Sequence, residues 1–182
     1  MGLNVKKSDT SIRIGEVRFS FPRVFTPGSV DENSPKKYSC SIIINKGNTA
    51  AIKLVEEAVE AAAKKGAEKY WNGKVPANIK KPLRDGDFDR EDDPAYQGML
   101  FLNASNTRKP GVQVLEDGMR YDASEDDFYA GCYGAVTLDF YPFNKNGNKG
   151  VAVSLGNLIK LRDGERLAGG GESTDSSFSD LD

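Results

Sequence analysis

The chain has 182 residues, enough for one domain with a real hydrophobic core and hardly enough for two. Charged residues make up 29% and hydrophobic residues 38%, and there are two cysteines and no histidine; this balance suits a globular protein and excludes an ordinary zinc site and the commonest general base. No apolar run approaches the ~18 residues a membrane helix needs, and the polar N-terminus MGLNVKKSDT lacks a signal-peptide core, so an intracellular protein with no membrane partner is expected.

Residues 1–10 read as a flexible lead-in. Ser11 to Phe21 (SIRIGEVRFSF) alternates apolar and polar residues, but the phase changes between Gly15 and Glu16. A β-bulge there would keep one apolar face along a long, bent strand, and such bends help a sheet curl. Residues 22–36 read as a loop because of Pro22, Pro27, Gly28 and Pro35. Lys37 to Ile44 is a second strand with Tyr38, Cys40, Ile42 and Ile44 on one face. The one convincing helix spans about Thr49 to Tyr70, where Ile52, Val55, Val59 and Ala62 form a stripe at helical spacing. Its glutamates precede its lysines, as the helix dipole favours, and Asn48 or Thr49 supplies the N-cap.

Residues 71–98 form a long charged connection, of a length that usually signals function or mobility. Met99 to Ala104 is a buried strand, Gly111 to Leu115 a short edge strand, and Glu116 to Asp127 an acidic, turn-like stretch. Cys132 to Phe143 and Lys149 to Leu155 are strands joined through Asn146-Gly147, the dipeptide favoured in two-residue type I′ hairpins. Centring the turn there pairs Phe140 with Val153 and Leu138 with Leu155 on the core face. On the other face it sets Tyr141 opposite Ala152, Phe143 opposite Gly150 and Asp139 opposite Ser154. Leu158 to Arg162 extends the sheet. The expected class is mainly β: a small barrel of about five strands with one principal helix and long loops, occupying residues 11–167. A β-sandwich fits the periodicity almost as well. Residues 168–182, three glycines and a polar acidic run, are too poor in apolar surface to fold and read as a disordered tail.

The outward face of the hairpin carries the sharpest candidate site. Tyr133, Tyr141 and Phe143 project from it, small residues stand opposite two of them, and Lys145 and Lys149 flank the turn. Rings beside cations suit single-stranded nucleic acid, because bases stack on rings while lysines hold phosphates. The competing reading is that a helix or a second subunit covers this face. Lys80, Lys81 and Arg84 form a second basic cluster, a candidate flap over a strand or else a solvated loop. Asp85, Asp87, Asp89, Asp92 and Asp93 begin like a calcium loop, but Arg90 stands where that motif needs Gly and Tyr96 where it needs Glu. Ion pairs and helix caps explain them better than a metal, and no cofactor is expected. The buried setting of Cys40 and Cys132 points to free thiols.

Charge is unevenly distributed. Four of the 27 acidic residues lie in residues 172–182, which hold no Lys or Arg, so residues 1–171 carry 25 basic against 23 acidic residues. The tail residues Glu172, Asp175, Phe178, Asp180, Leu181 and Asp182 combine apolar groups with carboxylates, a pattern that docks into an apolar pocket with a basic rim.

Several short segments in fixed order resemble the bacteriophage OB-fold single-stranded DNA-binding proteins: FSFPRVF from Phe19, PLRDGD from Pro82 with Tyr96 and Gly98, FLNA from Phe101, GCY from Gly131, FYPFNKNGNKG from Phe140, NLIKLRDG from Asn157, and the acidic end. The resemblance covers about residues 10–182. It implies an OB-fold, sequence-tolerant binding of single-stranded DNA in phage replication, recombination or repair within the host cytoplasm, and no catalytic residues. It also implies a tail that recruits replication or recombination proteins and competes with DNA. A homodimer fits as well. With the helix so early, OB strands one to three are expected within residues 11–44. The alternatives are a metal-dependent nuclease using the 85–93 aspartates and a virion or assembly protein that uses the hairpin face.

Overall fold

The computed structural model describes residues 2–29 and 31–167. The expected partner-docking residues of the tail, Glu172 to Asp182, lie outside the described residues.

In chain order the elements are β1 (Val5–Lys6), β2 (Ser11–Gly28), β3 (Lys37–Asn45), α1 (Thr49–Lys69), β4 (Arg84–Asp85), α2 (Gly86–Asp89), a 3-10 turn (Pro94–Tyr96), β5 (Met99–Asn106), β6 (Val112–Glu116), β7 (Met119–Asp122), β8 (Tyr133–Lys145) and β9 (Asn148–Arg162). Five of these strands close a barrel. β5 pairs with β3, β3 with β2, β2 with β8 and β8 with β9, all antiparallel, and β9 returns to β5 through a parallel pairing of Ser105 with Ser154. This is the OB arrangement, mainly β with one principal helix. Its first three strands are β2, β3 and β5. The expectation that all three lie within residues 11–44 is therefore corrected: α1 and the long connection are inserted between the second and third.

The closing strand pair is short because β5 and β9 diverge below Ser105. The connection fills the gap. Lys80 lies parallel to Gly150: its N–H donates to Lys149 O at 2.8 Å, and the Val151 N–H donates to Lys80 O at 2.9 Å. A few residues later Arg84 and Asp85 pair with Phe101 and Leu100 of β5. Residues 80–85 are thus a wedge in the barrel wall rather than a flap.

The interior follows the alternation. Ile12, Ile14, Val17 and Phe19 of β2 meet Cys40, Ile42 and Ile44 of β3, Leu102 and Ala104 of β5, and Leu138, Phe140, Val153 and Leu155 of the β8–β9 hairpin. The bulge in β2 falls where the phase change puts it, between Gly15 and Val17 against β8. α1 closes one side of the barrel with an alanine-rich face (Ala51, Val55, Ala58, Ala62). Asn48 caps it, its side chain accepting the Ala51 N–H. At its far end Gly66 lets Trp71 and Pro142 approach; a Cβ there would sit 2.6 Å from the indole and 2.7 Å from the proline.

Three segments differ from the sequence reading. β2 runs on through Pro22 and Pro27, expected as loop, because its pairing with β3 skips register around them and asks for no proline N–H. The acidic stretch is a hairpin, β6–β7, turning at Asp117 (φ 51°) and Gly118 (φ 78°). Residues 2–10, read as a flexible lead-in, lie along β2: Val5 pairs with Arg13, and Arg13 donates to Leu3 O at 3.0 Å.

Candidate nucleic-acid interface

The hairpin forms as its turn residues require, with Asn146 at φ 51° and Gly147 at φ 81°. From Lys145 back to Leu138 the pairing is the one expected: Tyr141 faces Ala152, Phe143 faces Gly150 and Asp139 faces Ser154. Tyr141 is 41% exposed. Phe143 is half-buried, and Lys145 and Lys149 are exposed. No element among the described residues covers Tyr141, because α1 packs on the opposite face, against the hairpin side that carries Pro142.

The wedge brings part of the second basic cluster to this tip. The Lys80 ammonium donates to Asn148 Oδ1 at 3.0 Å, so Lys80 stands with Lys145 on the side that carries Phe143, whereas Lys149, paired with Asn144, sits at the tip with the opposite parity. Gly150 is small for this reason: a Cβ would collide with the Lys80 carbonyl. The seven described ion pairs include none of Lys80, Lys81, Lys145 and Lys149. Lys80 and Lys145, with no carboxylate partner among the described residues, leave a positive field beside the Phe143 and Tyr141 rings. Lys81, next in the alternating wedge, turns toward α1 and lines a groove with Ile79 and Leu83. Arg84 lies further along and pairs with Asp89 at 3.5 Å.

Tyr133 is elsewhere. Eight residues from Tyr141, about 26 Å at strand rise, its ring lies under the Arg162 guanidinium at 3.8 Å and near that of Arg18 at 5.2 Å. Arg18 also donates to the backbone carbonyls of Gly131 and Glu165. Arg162 is ion-paired to Glu16 at 2.6 Å, which holds its pKa above the ordinary value. This layered cluster seats the segment 163–167 on the barrel, where the Leu167 N–H donates to Ala130 O at 3.0 Å.

The aspartates of residues 85–93 are used structurally. Asp85 caps α2 by accepting the Asp87 N–H at 2.9 Å, and Asp93 caps the 3-10 turn by accepting the Ala95 N–H at 3.1 Å. Lys46 bridges Asp85 at 2.9 Å and Asp87 at 2.7 Å. The Lys46 hydrogen bond, followed by that from the Gly98 N–H, holds the Asp87 carboxyl below its usual range. No group of three or more His, Cys, Asp or Glu arranged to hold a metal occurs among the described residues, and no described helix is long and apolar enough to cross a membrane.

Sequence reasoning missed an aromatic pair at a second groove of 820 Å³. Phe88 of α2 is 80% exposed, and Phe21 lies across from it with the Arg90 guanidinium 5.3 Å over its ring. Phe88 interrupts a run of charged residues, DFDRED, and that interruption was the available signal.

Solved structures share this architecture. The single-stranded DNA-binding protein of bacteriophage Enc34, in complex with single-stranded DNA, aligns with TM-score 0.75 at 23% identity over 91% of this chain and 97% of that one. The single-stranded DNA-binding protein encoded by bacteriophage T7 aligns with TM-score 0.59 at 13% identity over 95% and 94%. In sequence, protein p50 of Acyrthosiphon pisum secondary endosymbiont phage 1 is 33% identical over 175 residues, 93% of each chain. The model of the family described as Enterobacter phage Enc34, ssDNA-binding protein, matches residues 10–182. With that match spanning barrel, wedge and tail, the chain belongs to the Enc34 family of phage single-stranded DNA-binding proteins.

Proposed function

We propose that this chain binds single-stranded DNA without sequence preference, on the outer face of the β8–β9 hairpin. The observation that carries the reading is the convergence of Lys80 and Lys145, drawn from two distant segments, beside the rings of Phe143 and Tyr141, with Lys149 at the same tip. Bases stack on the rings at roughly 1–3 kcal/mol each, and every base has a face to offer. Lys81, turned toward α1, and Arg84, paired with Asp89, lie off this face, and the Tyr133 ring at its far end is covered by Arg162. The reading includes no catalytic step: the barrel acts by holding a strand, in phage DNA replication, recombination or repair in the host cytoplasm.

The tail has two roles in this proposal. Its four carboxylates compete with phosphates for the basic wall, and Phe178 and Leu181 with their acidic neighbours recruit replication or recombination proteins. Support comes from its root: Leu167 is anchored at the groove that holds Arg18, Arg90 and Arg166, so the acidic residues start a short reach from three arginines, of which Arg166 is exposed. A titration of labelled oligonucleotide against the full chain over a series of salt concentrations tests the binding mode. The expected logarithmic plot of affinity against salt is linear and falling, with a slope near −0.7 per phosphate contact. Affinity independent of salt overturns it.

A further inference from the structure

The exposed hairpin face has a second end. There, where β9 bends, lies a cleft of 360 Å³. The β8–β9 register slips between Val136 and Leu138, and Thr137 holds the bend by accepting the Asn157 N–H at 2.8 Å. Gly156 adds no bulk, and none would fit, because a Cβ would run into Thr137. The rim carries Lys7, from the turn ahead of β2, and Arg108 and Lys109, from the loop after β5. All three are exposed, and none takes part in an ion pair among the described residues. Asp139, the one carboxylate in the cleft among the described residues, accepts from Ser11 Oγ at 2.8 Å and Thr10 Oγ1 at 3.3 Å. Three cations from two distant chain segments thus converge on a concave surface whose single acid already has hydroxyl partners.

The cleft begins where the aromatic strip ends. Asp139 pairs with Ser154 on its floor, and the next outward pair along the same strands is Tyr141 with Ala152. Gly150, at the lysine-rich tip, is about 13 Å from Ser154 at strand rise. Ala152 and Ser154 are small enough to let a backbone lie close between the two ends.

We propose that Lys7, Arg108 and Lys109 form a second phosphate-holding site, which takes the sugar–phosphate backbone of the same strand whose bases stack on Tyr141 and Phe143. This rests on the function proposed above. The strand then runs lengthwise along the hairpin, gripped at the tip by Lys80 and Lys145, with Lys149 beside them at the turn, and at the bend by the second site. Asp139 repels phosphate from the floor and keeps it on the cationic rim, leaving the floor to sugar or base.

The test uses the full chain, a fluorescein-labelled oligothymidylate of about 12 nucleotides, and anisotropy titrations at several salt concentrations. Three double variants are compared with wild type: Arg108→Gln with Lys109→Gln, Lys145→Ala with Lys149→Ala, and, as a control on the exposed side of α1, Lys64→Gln with Lys65→Gln. Loss of two phosphate contacts makes the salt slope shallower by about 1.4, so the first variant is expected to show that change and at least ~10-fold weaker binding at low salt, with the control at wild-type values. If the first variant matches wild type while the tip variant weakens, the second site is wrong and the hairpin reading stands. An equal loss in the control reduces the effect to bulk charge and also overturns the site. If the wild-type chain does not bind the oligonucleotide, both readings fall.

Discussion

At Gly150 the missing side chain is a condition of barrel closure. The Lys80 carbonyl occupies the space a Cβ would need, and Lys80 makes two backbone hydrogen bonds to β9, donating its N–H to Lys149 O and accepting the Val151 N–H. Gly150→Val is expected to break both, at about 1 kcal/mol each, and to move Lys80 away from Phe143. Thermal denaturation should show the lost stability, and oligonucleotide binding should weaken in the fraction that stays folded. Wild-type melting and affinity together would show that the wedge is not seated as described. The small residues opposite the rings therefore have different causes: Gly150 makes room for backbone, whereas Ala152 leaves the Tyr141 ring uncovered.

Among the elements, the segment 84–98 shows how charge is used to fix a loop. Its two caps, Asp85 and Asp93, and the Lys46 bridge turn a stretch rich in Gly and Asp into a defined surface that carries Phe88. Asp87 is held below its ordinary pKa by Lys46, so its contribution is present above the ~3.9 of a free aspartate and is lost as pH falls through the depressed value. The Lys46 pKa is raised by the same pair, so its share is present below the ordinary lysine value and is lost as pH rises through the raised one. The Gly98 amide, which donates to Asp87 Oδ1 at 2.9 Å, reports this directly. Its NMR shift should titrate with a midpoint below that of a free aspartate, and Lys46→Met should raise the midpoint. An unchanged midpoint would mean that the ion pair does not form in solution.

Local chemistry made some elements legible in the sequence and left others hidden. The Asn146-Gly147 turn, the alternation on each side of it and the Gly15 phase change are short-range signals, and they set strand pairing and bulge correctly. The β6–β7 hairpin had an equivalent signal in Asp117-Gly118, masked by the acidic residues around it. The wedge had none. Lys80 joins β9 only because β5 and β9 diverge, a consequence of barrel geometry that no residue near position 80 announces. Tyr133 shares the outward parity of Tyr141, but parity says nothing of Arg162 arriving from the next strand to cover its ring.

For the whole molecule, the role proposed for the tail rests on charge balance. A basic wall and an acidic segment of the same chain attract one another, more strongly when salt is low. Deleting residues 172–182 is expected to tighten oligonucleotide binding at low salt and to have little effect at high salt, read by anisotropy. Equal affinities at low salt would remove competition from the roles proposed for the tail. The most direct measurement of the central claim is the affinity of Tyr141→Ala and Phe143→Ala, singly and together, for a single-stranded oligonucleotide, with melting temperatures recorded alongside. Expected is a loss of roughly 1–3 kcal/mol for each ring, with Tyr141→Ala melting like wild type because its ring is exposed. Wild-type affinity in the double variant, with the barrel folded, would contradict the claim that the strand lies on this face.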